Sequence, residues 1–436
     1  MNALLYLVGV VLFVVGVALS IGLHELGHLI PGKLYNVKIT QYFIGFGRTV
    51  WSRTRGETEY GLKAVPLGGY VKLVGMLPPG PDQDPDVVSS RPTGMFSQLI
   101  SDARAAEYEH VGPHDHGRLF YQLSWWKKIV IMGSGVATNL VLALMLYSIA
   151  FIGYGVQTPT LTVGTVNTCV VQIPANAPIP ACPKNAPLSP AAAAGMRPGD
   201  TILSLNGVAM SSYGQFRDAI RANGKGYALI TVLRDGQETT LKKVRTAVNL
   251  VPSDSNPDQT VEVGFFGVSS TAVRQQQGFG YVLSTMRDST NHVLSTLGHM
   301  PQRVYHVARA AVGLEQRDPN GPMSIVGAGR ISGEVVQDQA VPIGDRLISL
   351  VLLLAGLNLF LGLVNLVPLP PFDGGGIATT LVDVVRRGWA RVRRRPDPGA
   401  LDSAKLLPVT YVGAALILVI SVILIYADIV APVKLT

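Results

Sequence analysis

Two histidines four positions apart, His24 and His28, bracket a glutamate in the run His24-Glu25-Leu26-Gly27-His28. On a helix, positions i and i+4 share a face, so this spacing turns both imidazoles the same way. Two imidazole nitrogens suit Zn2+, which in a catalytic site takes one more protein ligand and keeps a position open. Glu25 is then placed to act as a general base toward a water molecule. The plainer alternative is a helix end with two histidines and a glutamate at an interface, since a five-residue pattern with three fixed positions recurs by chance.

The elements around the run weigh against that alternative. Residues 3–23 carry no charge and are almost wholly apolar. At 1.5 Å per residue they extend about 31 Å, the thickness of a bilayer's hydrocarbon core. Ionisable residues at the end of such a span cost up to a few kcal/mol and usually mark function. A cleaved signal peptide fits poorly, because the first residues lack a basic segment and the apolar run is too long.

A third ligand is available in Asn365-Leu-Val-Pro368-Leu-Pro370-Pro371-Phe-Asp373-Gly374-Gly375-Gly376, where Asp373 follows another apolar stretch. Taken alone, Asp373 reads equally as the cap of the next helix, with the prolines and glycines forming a turn.

The whole chain is that of a membrane protein with water-exposed parts. Of its 436 residues, 48% are hydrophobic and 15% charged, and the mean hydropathy is +0.32, too apolar for an ordinary soluble protein. Four stretches qualify as spans, about 3–30, 129–154, 346–367 and 408–430. Loop 31–128 holds twelve Lys and Arg and 368–407 holds seven, among them Arg386, Arg387, Arg391, Arg393, Arg394 and Arg395. The positive-inside rule puts both loops in the cytoplasm. Segment 155–345 and both termini then lie outside. His24, His28 and Asp373 all arrive at the cytoplasmic side, because the first and third spans run the same way. The net charge of +8 needs no nucleic acid, since basic residues beside spans attract anionic lipid headgroups. The two cysteines, Cys169 and Cys182, fall in the external segment, where a disulfide can form; two unpaired thiols are the alternative.

These motifs carry a resemblance. HELGH in the first span, the N-x-x-P-x-P-x-x-D-G pattern after the third and one external domain resemble the site-2 protease family of intramembrane zinc metalloproteases. The likeness is nearest to bacterial, anti-sigma-factor-cleaving members, of actinobacterial type. Phe372 stands where that family commonly has leucine. The resemblance implies one Zn2+ per chain on His24, His28 and Asp373, with Glu25 catalytic and Asn365, Pro368 and Pro370 handling substrate. Gly135 and Asn139 resemble the family's G-x-x-x-N element, with Val136 where proline is common; close packing and a buried asparagine explain the pair equally well. Segment 59–74, with Gly68-Gly69 at a bend, resembles the family's membrane-associated β-loop, which pairs with unwound substrate by strand addition. An ordinary cytoplasmic hairpin is its alternative.

The run from Gly195 through Met196, Arg197, Gly199 and Asp200 to Asn206-Gly207 resembles that of bacterial PDZ domains. Alternation at Leu203 and Leu205, a tight Asn206-Gly207 turn, a helix near 213–223, a strand at 227–233 and a turn at 234–236 are expected there. In the family this domain filters substrates by size; binding a peptide or a purely structural role are the alternatives.

The expected fold is thus a polytopic α-helical membrane protein with about four transmembrane helices, an extracytoplasmic PDZ-like domain and a membrane-associated β-loop. Its parts are a first span with HELGH (1–31), a cytoplasmic region (32–128) holding the β-loop and a flexible insertion (77–118), and a second span (129–155). A PDZ-like domain (160–270), an amphipathic helix and linker (271–345), a third span with its motif (346–376), a basic cytoplasmic loop (377–407) and a fourth span (408–430) follow. His110, His114 and His116 read as a solvated loop rather than a second metal site. His292, His299 and His306 recur every seven residues on an expected helix over 278–315, about 10 Å apart, too far for one metal. Gly321-Pro322-Met-Ser-Ile-Val-Gly327 resembles the family's segment before the third span. The resemblance implies a plasma-membrane protease whose substrate is a single-span regulatory protein, such as an anti-sigma factor, already cut by a site-1-type protease. A PDZ scaffold without activity and a metal transporter are the rival readings.

Overall fold

The computed structural model describes residues 2–78, 100, 102–103, 111–112, 114–170, 182, 186–252, 260–318 and 321–433. The chain divides into two compact units, residues 1–153 with 278–435, and residues 154–277.

The first unit is helical apart from one hairpin. Helix α1 (Asn2–Leu34) is followed by β1 (Ile39–Arg55) and β2 (Thr58–Leu73). Helix α2 (Trp125–Ser148) continues through a π-helical turn at Ile149–Tyr154. Among the described residues four segments are long and apolar enough to cross a membrane: Ala3–Leu34, Trp125–Tyr154, Ile343–Asn365 and Ser403–Val430. Helix α2 packs against both α1 and the third span.

The hairpin is longer than segment 59–74, because Ile39–Arg55 pairs with it antiparallel. The alternating run Ile39, Gln41, Phe43 into Gly45 and Gly47 carries this first strand, and glycines obscure it in the sequence. The strands fold back on themselves. Tyr42 faces Val71 on one side and Tyr60 on the other, and Ile44 faces both Gly69 and Leu62. Residues 39–44 are therefore central and residues 69–73 form an edge. Its floor is a cluster of Val37, Ile39, Leu73, Phe120, Ile131 and Leu29. Glu57, at the hairpin turn, pairs with Arg118 at 2.7 Å and with Lys33 at 3.2 Å.

Most of the insertion at 77–118, including His110, lies outside the described residues. Its described end is tied to the hairpin through Asp115. Asp115 is buried, bonded to Lys38 Nζ at 2.5 Å and to the Gly112 amide at 2.6 Å. His114 and His116 on either side are exposed.

The second unit is mainly β. Strands β3 (Val156–Val166), β4 (Thr201–Leu205), β5 (Val208–Ala209), β7 (Ile230–Arg234), β8 (Gln237–Thr240) and β12 (Val268–Gln275) make one sheet, ordered β12-β3-β4-β7-β8 with β5 on β4. Short pairs β6 (Tyr227–Ala228) with β9 (Val244–Arg245), and β10 (Ala247–Pro252) with β11 (Thr260–Phe265), complete it. Helices α3 (Pro190–Ala194) and α4 (Tyr213–Asn223) cover a core of Ile202, Ile230, Val232, Phe216 and Phe266. Asn206 (φ 50°) and Gly207 (φ 82°) form the β4–β5 turn, and Asp235 and Gly236 the β7–β8 turn, as positive φ at both positions requires. Cys169 and Cys182 are joined in a disulfide.

Beyond this unit, the helix expected over 278–315 is two helices, α5 (Phe279–Gly298) and α6 (Met300–Ala311). Pro301 cannot sit in a helix interior and takes the first turn of α6. His292, the joint residue His299 and His306 therefore do not share one helix face. Helix α7 (Ile325–Gln337) leads into α8 (Ile343–Asn365), the third span. The region 377–407 is not all loop: α9 runs Asp373–Val392 before the fourth span, α10 (Leu407–Val430). No proline interrupts residues 372–395, and Pro396 and Pro398 stop the helix beyond its end.

Candidate metal centre

Helix α1 carries His24 and His28 on one buried face, 9% and 6% exposed. Asp373 is the first residue of α9, not its cap, and its side chain turns toward the histidines. Asp373 Oδ2 lies 3.3 Å from His24 Nε2 and 3.3 Å from His28 Nε2. The two Nε2 atoms are 3.3 Å from each other. Ligands about 2.0–2.1 Å from a tetrahedral ion stand about 3.3 Å apart. The three atoms thus match one face of a zinc coordination tetrahedron, with the fourth corner left to a non-protein ligand. Among the described residues this is the one group of three or more His, Cys, Asp or Glu placed to hold a metal.

The proton inventory agrees with a cation. His28 Nδ1 donates to the Ile131 carbonyl at 2.7 Å, which leaves its Nε2 as a lone pair. Asp373 Oδ2 is buried and has no hydrogen-bond partner among the described residues. Two acceptors facing each other in a buried site are costly unless a positive centre joins them.

Neighbouring elements set this geometry by close approach. A Cβ on Gly135 of α2 would stand 2.2 Å from His28 Nε2 and 2.9 Å from His24 Cε1. Only a glycine lets α2 reach the imidazoles. Across the same contact, Ser134 Oγ donates to the Gly27 carbonyl at 2.7 Å. At the start of α9, a Cβ on Gly374 would meet the Val367 and Leu366 carbonyls at 2.4 and 2.5 Å, so the 366–372 link folds directly onto the helix that begins with Asp373.

Glu25 points to a different neighbour. It is half-buried and within electrostatic reach of His24, His28 and Asp373. A Cβ on Gly69 would stand 2.9 Å from Glu25 Cγ and 3.1 Å from Ile21 Cγ2. The sheet edge 69–73 therefore begins against the glutamate. Tyr42 fixes the sheet to the helix by donating to the Gly22 carbonyl at 2.7 Å. Burial, then the Glu25 carboxylate, holds the Tyr42 phenol above its usual range.

The other expected residues are more dispersed. Gly68 (φ 107°) makes the bend before Gly69 and packs against the Phe46 ring. Asn139 is 1% exposed, one turn along α2 from Gly135, and its Oδ1 has no hydrogen-bond partner among the described residues. Asn365 closes α8, Pro368 is exposed, and Pro370 is half-buried with its nitrogen beneath Gly375. Sequence reading missed Tyr42 and Ile131. Tyr42 sat in an unrecognised strand, and a backbone carbonyl such as that of Ile131 has no signature at all.

Residues 12–395, which include HELGH and Asp373, match peptidase family M50. The chain belongs to that family. Zinc metalloprotease Rip1 of Mycobacterium tuberculosis is 32% identical over 99% of this chain and 100% of its own length. Rip1 of Mycolicibacterium smegmatis is 29% identical over 98% of each chain. Metalloprotease MmpA of Caulobacter vibrioides is 26% identical over 86% of each.

Proposed function

We propose that this protein is a zinc-dependent intramembrane endopeptidase. The observation that carries the proposal is the 3.3 Å triangle of His24, His28 and Asp373 donor atoms beside Glu25 on a membrane-length helix. His24, His28 and Asp373 hold one Zn2+ per chain. When bound, zinc supplies Lewis acidity to the scissile carbonyl and makes water a nucleophile near neutral pH. Glu25 takes the proton from the attacking water and delivers it to the leaving amine. Gly135 and the Ile131 carbonyl hold the imidazoles in position.

A helical substrate hides its peptide bonds, so the cut segment must be extended. The edge 69–73, with Gly68 and Gly69 at its start, offers main-chain groups for strand addition next to Glu25. Asn365, Pro368 and Pro370, between the end of α8 and Asp373, handle substrate on that side, while Asn139 is buried against α8 at Gly362 and supports it. His24 lies about 15 Å from the end of α1 at 1.5 Å per residue. With positive-inside orientation, the cut falls toward the cytoplasmic end of the substrate span.

The unit 154–277 is a PDZ-like domain outside the cytoplasm, a placement that its Cys169–Cys182 disulfide supports. Tyr213 of α4 donates to the Val268 carbonyl of β12 at 3.0 Å. That bond ties α4 to the start of β12, and the role proposed for this unit is size filtering rather than peptide binding. The substrates are then single-span regulatory proteins, anti-sigma factors among them, trimmed first by a site-1-type protease. The plasma membrane is the site of action.

The test is a single-span reporter incubated with wild type and Glu25→Gln in proteoliposomes. Cleavage by wild type alone, with zinc retained by both, is expected. Equal cleavage by the variant, or none by wild type loaded with zinc, would sink the proposal.

A further inference from the structure

The second half of α9 presents an apolar stripe that no other described residue covers. Leu381, Val385, Trp389 and Val392 follow at intervals of four, four and three, which is one helix face. They are 46%, 70%, 57% and 80% exposed, with Val382 beside them at 54%. The first half of the same helix is packed, Gly376 against Met132 of α2. Lys128 of α2 lies within electrostatic reach of Asp383 and Arg387. Helix α9 thus runs back along α2 from Asp373 near Gly135 toward the Trp125-Trp126-Lys127-Lys128 end of that span. Trp125 and Trp126 are themselves 52% and 45% exposed.

The charges beside the stripe are one-sided. Arg386 and Arg387 are paired with Asp383. Arg391, Arg393, Arg394 and Arg395 are exposed, and among the described residues none has a carboxylate partner. Arg393 lies over the Trp389 ring at 4.5 Å. Tryptophans level with basic side chains at a span's end belong at the headgroup layer, and apolar side chains just inside it belong in acyl chains.

We propose that the α9 stripe and its four unpaired arginines form a binding surface for anionic phospholipid, continuous with the Trp125–Lys128 end of α2. Leu381, Val382 and Val385 lie against acyl chains, Trp389 sits at the boundary, and Arg391, Arg393, Arg394 and Arg395 take lipid phosphates. Charge complementarity and continuity with a span select lipid over a soluble partner. Because α9 begins with Asp373, the leaflet steadies the helix that supplies the carboxylate of the metal centre.

The test uses full-length protein in nanodiscs and reads quenching of Trp389 by brominated lipid, with Trp389→Phe as the background. Brominated phosphatidylglycerol should quench more strongly than brominated phosphatidylcholine, and high salt should erase the difference. Each arginine near the surface contributes about 1 kcal/mol, or about fivefold in lipid preference. The quadruple variant R391Q/R393Q/R394Q/R395Q should lose at least about tenfold, and the matching Arg→Lys variant should keep the preference. Equal quenching by both lipids in wild type overturns the proposal. So does an unchanged preference in the Gln variant or a preference lost in the Lys variant. Protection of Trp389 by an acidic soluble protein, with no preference between lipids, also overturns it.

Discussion

His28 meets three different constraints at once. Its Nδ1 is committed to the Ile131 carbonyl, its Nε2 faces Asp373, and its ring lies against Gly135. A methyl group at 135 cannot fit without moving an imidazole. Gly135→Ala should therefore weaken metal binding by about 10–100-fold, read as zinc lost to a competing chelator. Gly133→Ala, with nothing within 4 Å of its Cβ, should leave it unchanged. Glu25 has the opposite signature. On the proposed mechanism Glu25→Gln removes the proton carrier without removing a ligand, so kcat should fall about 10²–10⁴-fold while zinc content holds. At this scale the histidine pair and glutamate were legible because an i, i+4 spacing survives without tertiary information. Asp373 was legible only as a candidate, since a carboxylate at a helix start serves equally as a cap. Its 3.3 Å distance to both histidines, on which the proposed ligand role rests, is supplied by the tertiary structure.

The hairpin β1–β2 shows what an element adds. Its second strand was readable at 59–74, but the first, 39–55, is broken by Gly45 and Gly47 at positive φ and lost its period-two pattern. Without the first strand, no edge can be assigned, and the nearness of Gly69 to Glu25 is invisible. Gly69→Val should push the edge off Glu25 and lower kcat/KM by about 10²-fold, with zinc content unchanged; normal turnover would dissociate the hairpin from catalysis. In the β-rich unit, Asp200 is 2% exposed and bonded to Arg234 at 2.7 and 2.8 Å and to the Arg197 amide at 2.8 Å. Burial opposes its ionisation, but these bonds prevail and hold the carboxyl below its usual value of 3.8. A depressed folded pKa contributes stability above that value, lost as pH falls through the folded one. Protection factors against hydrogen exchange in residues 154–277 should therefore fall as pH drops below about 4, and Arg234→Ala should cost about 1–3 kcal/mol at neutral pH. The turns of this unit were legible, since Asn-Gly and Asp-Gly impose positive φ locally. The break at His299 was not, because a histidine periodicity of seven masked the stop at Pro301.

Across the whole molecule, removal of residues 154–277 should admit single-span reporters whose outer domains have not been trimmed, while trimmed reporters are cut as before. Continued exclusion of untrimmed reporters would remove the filter from this unit. Four spans, one β-rich unit and the HELGH run were determined by sequence alone, because apolar length, helical spacing and turn residues are local properties that each segment carries with it. Tertiary structure alone decided that Asp373 closes a 3.3 Å triangle with His24 and His28, that Gly135 admits α2 to the imidazoles, that the 69–73 edge abuts Glu25, and that α9 is a helix with an exposed stripe. Those are distances between segments up to 349 positions apart, as from His24 to Asp373. They arise from close packing, in which a missing Cβ or a single carbonyl sets what can meet, and no local pattern encodes them.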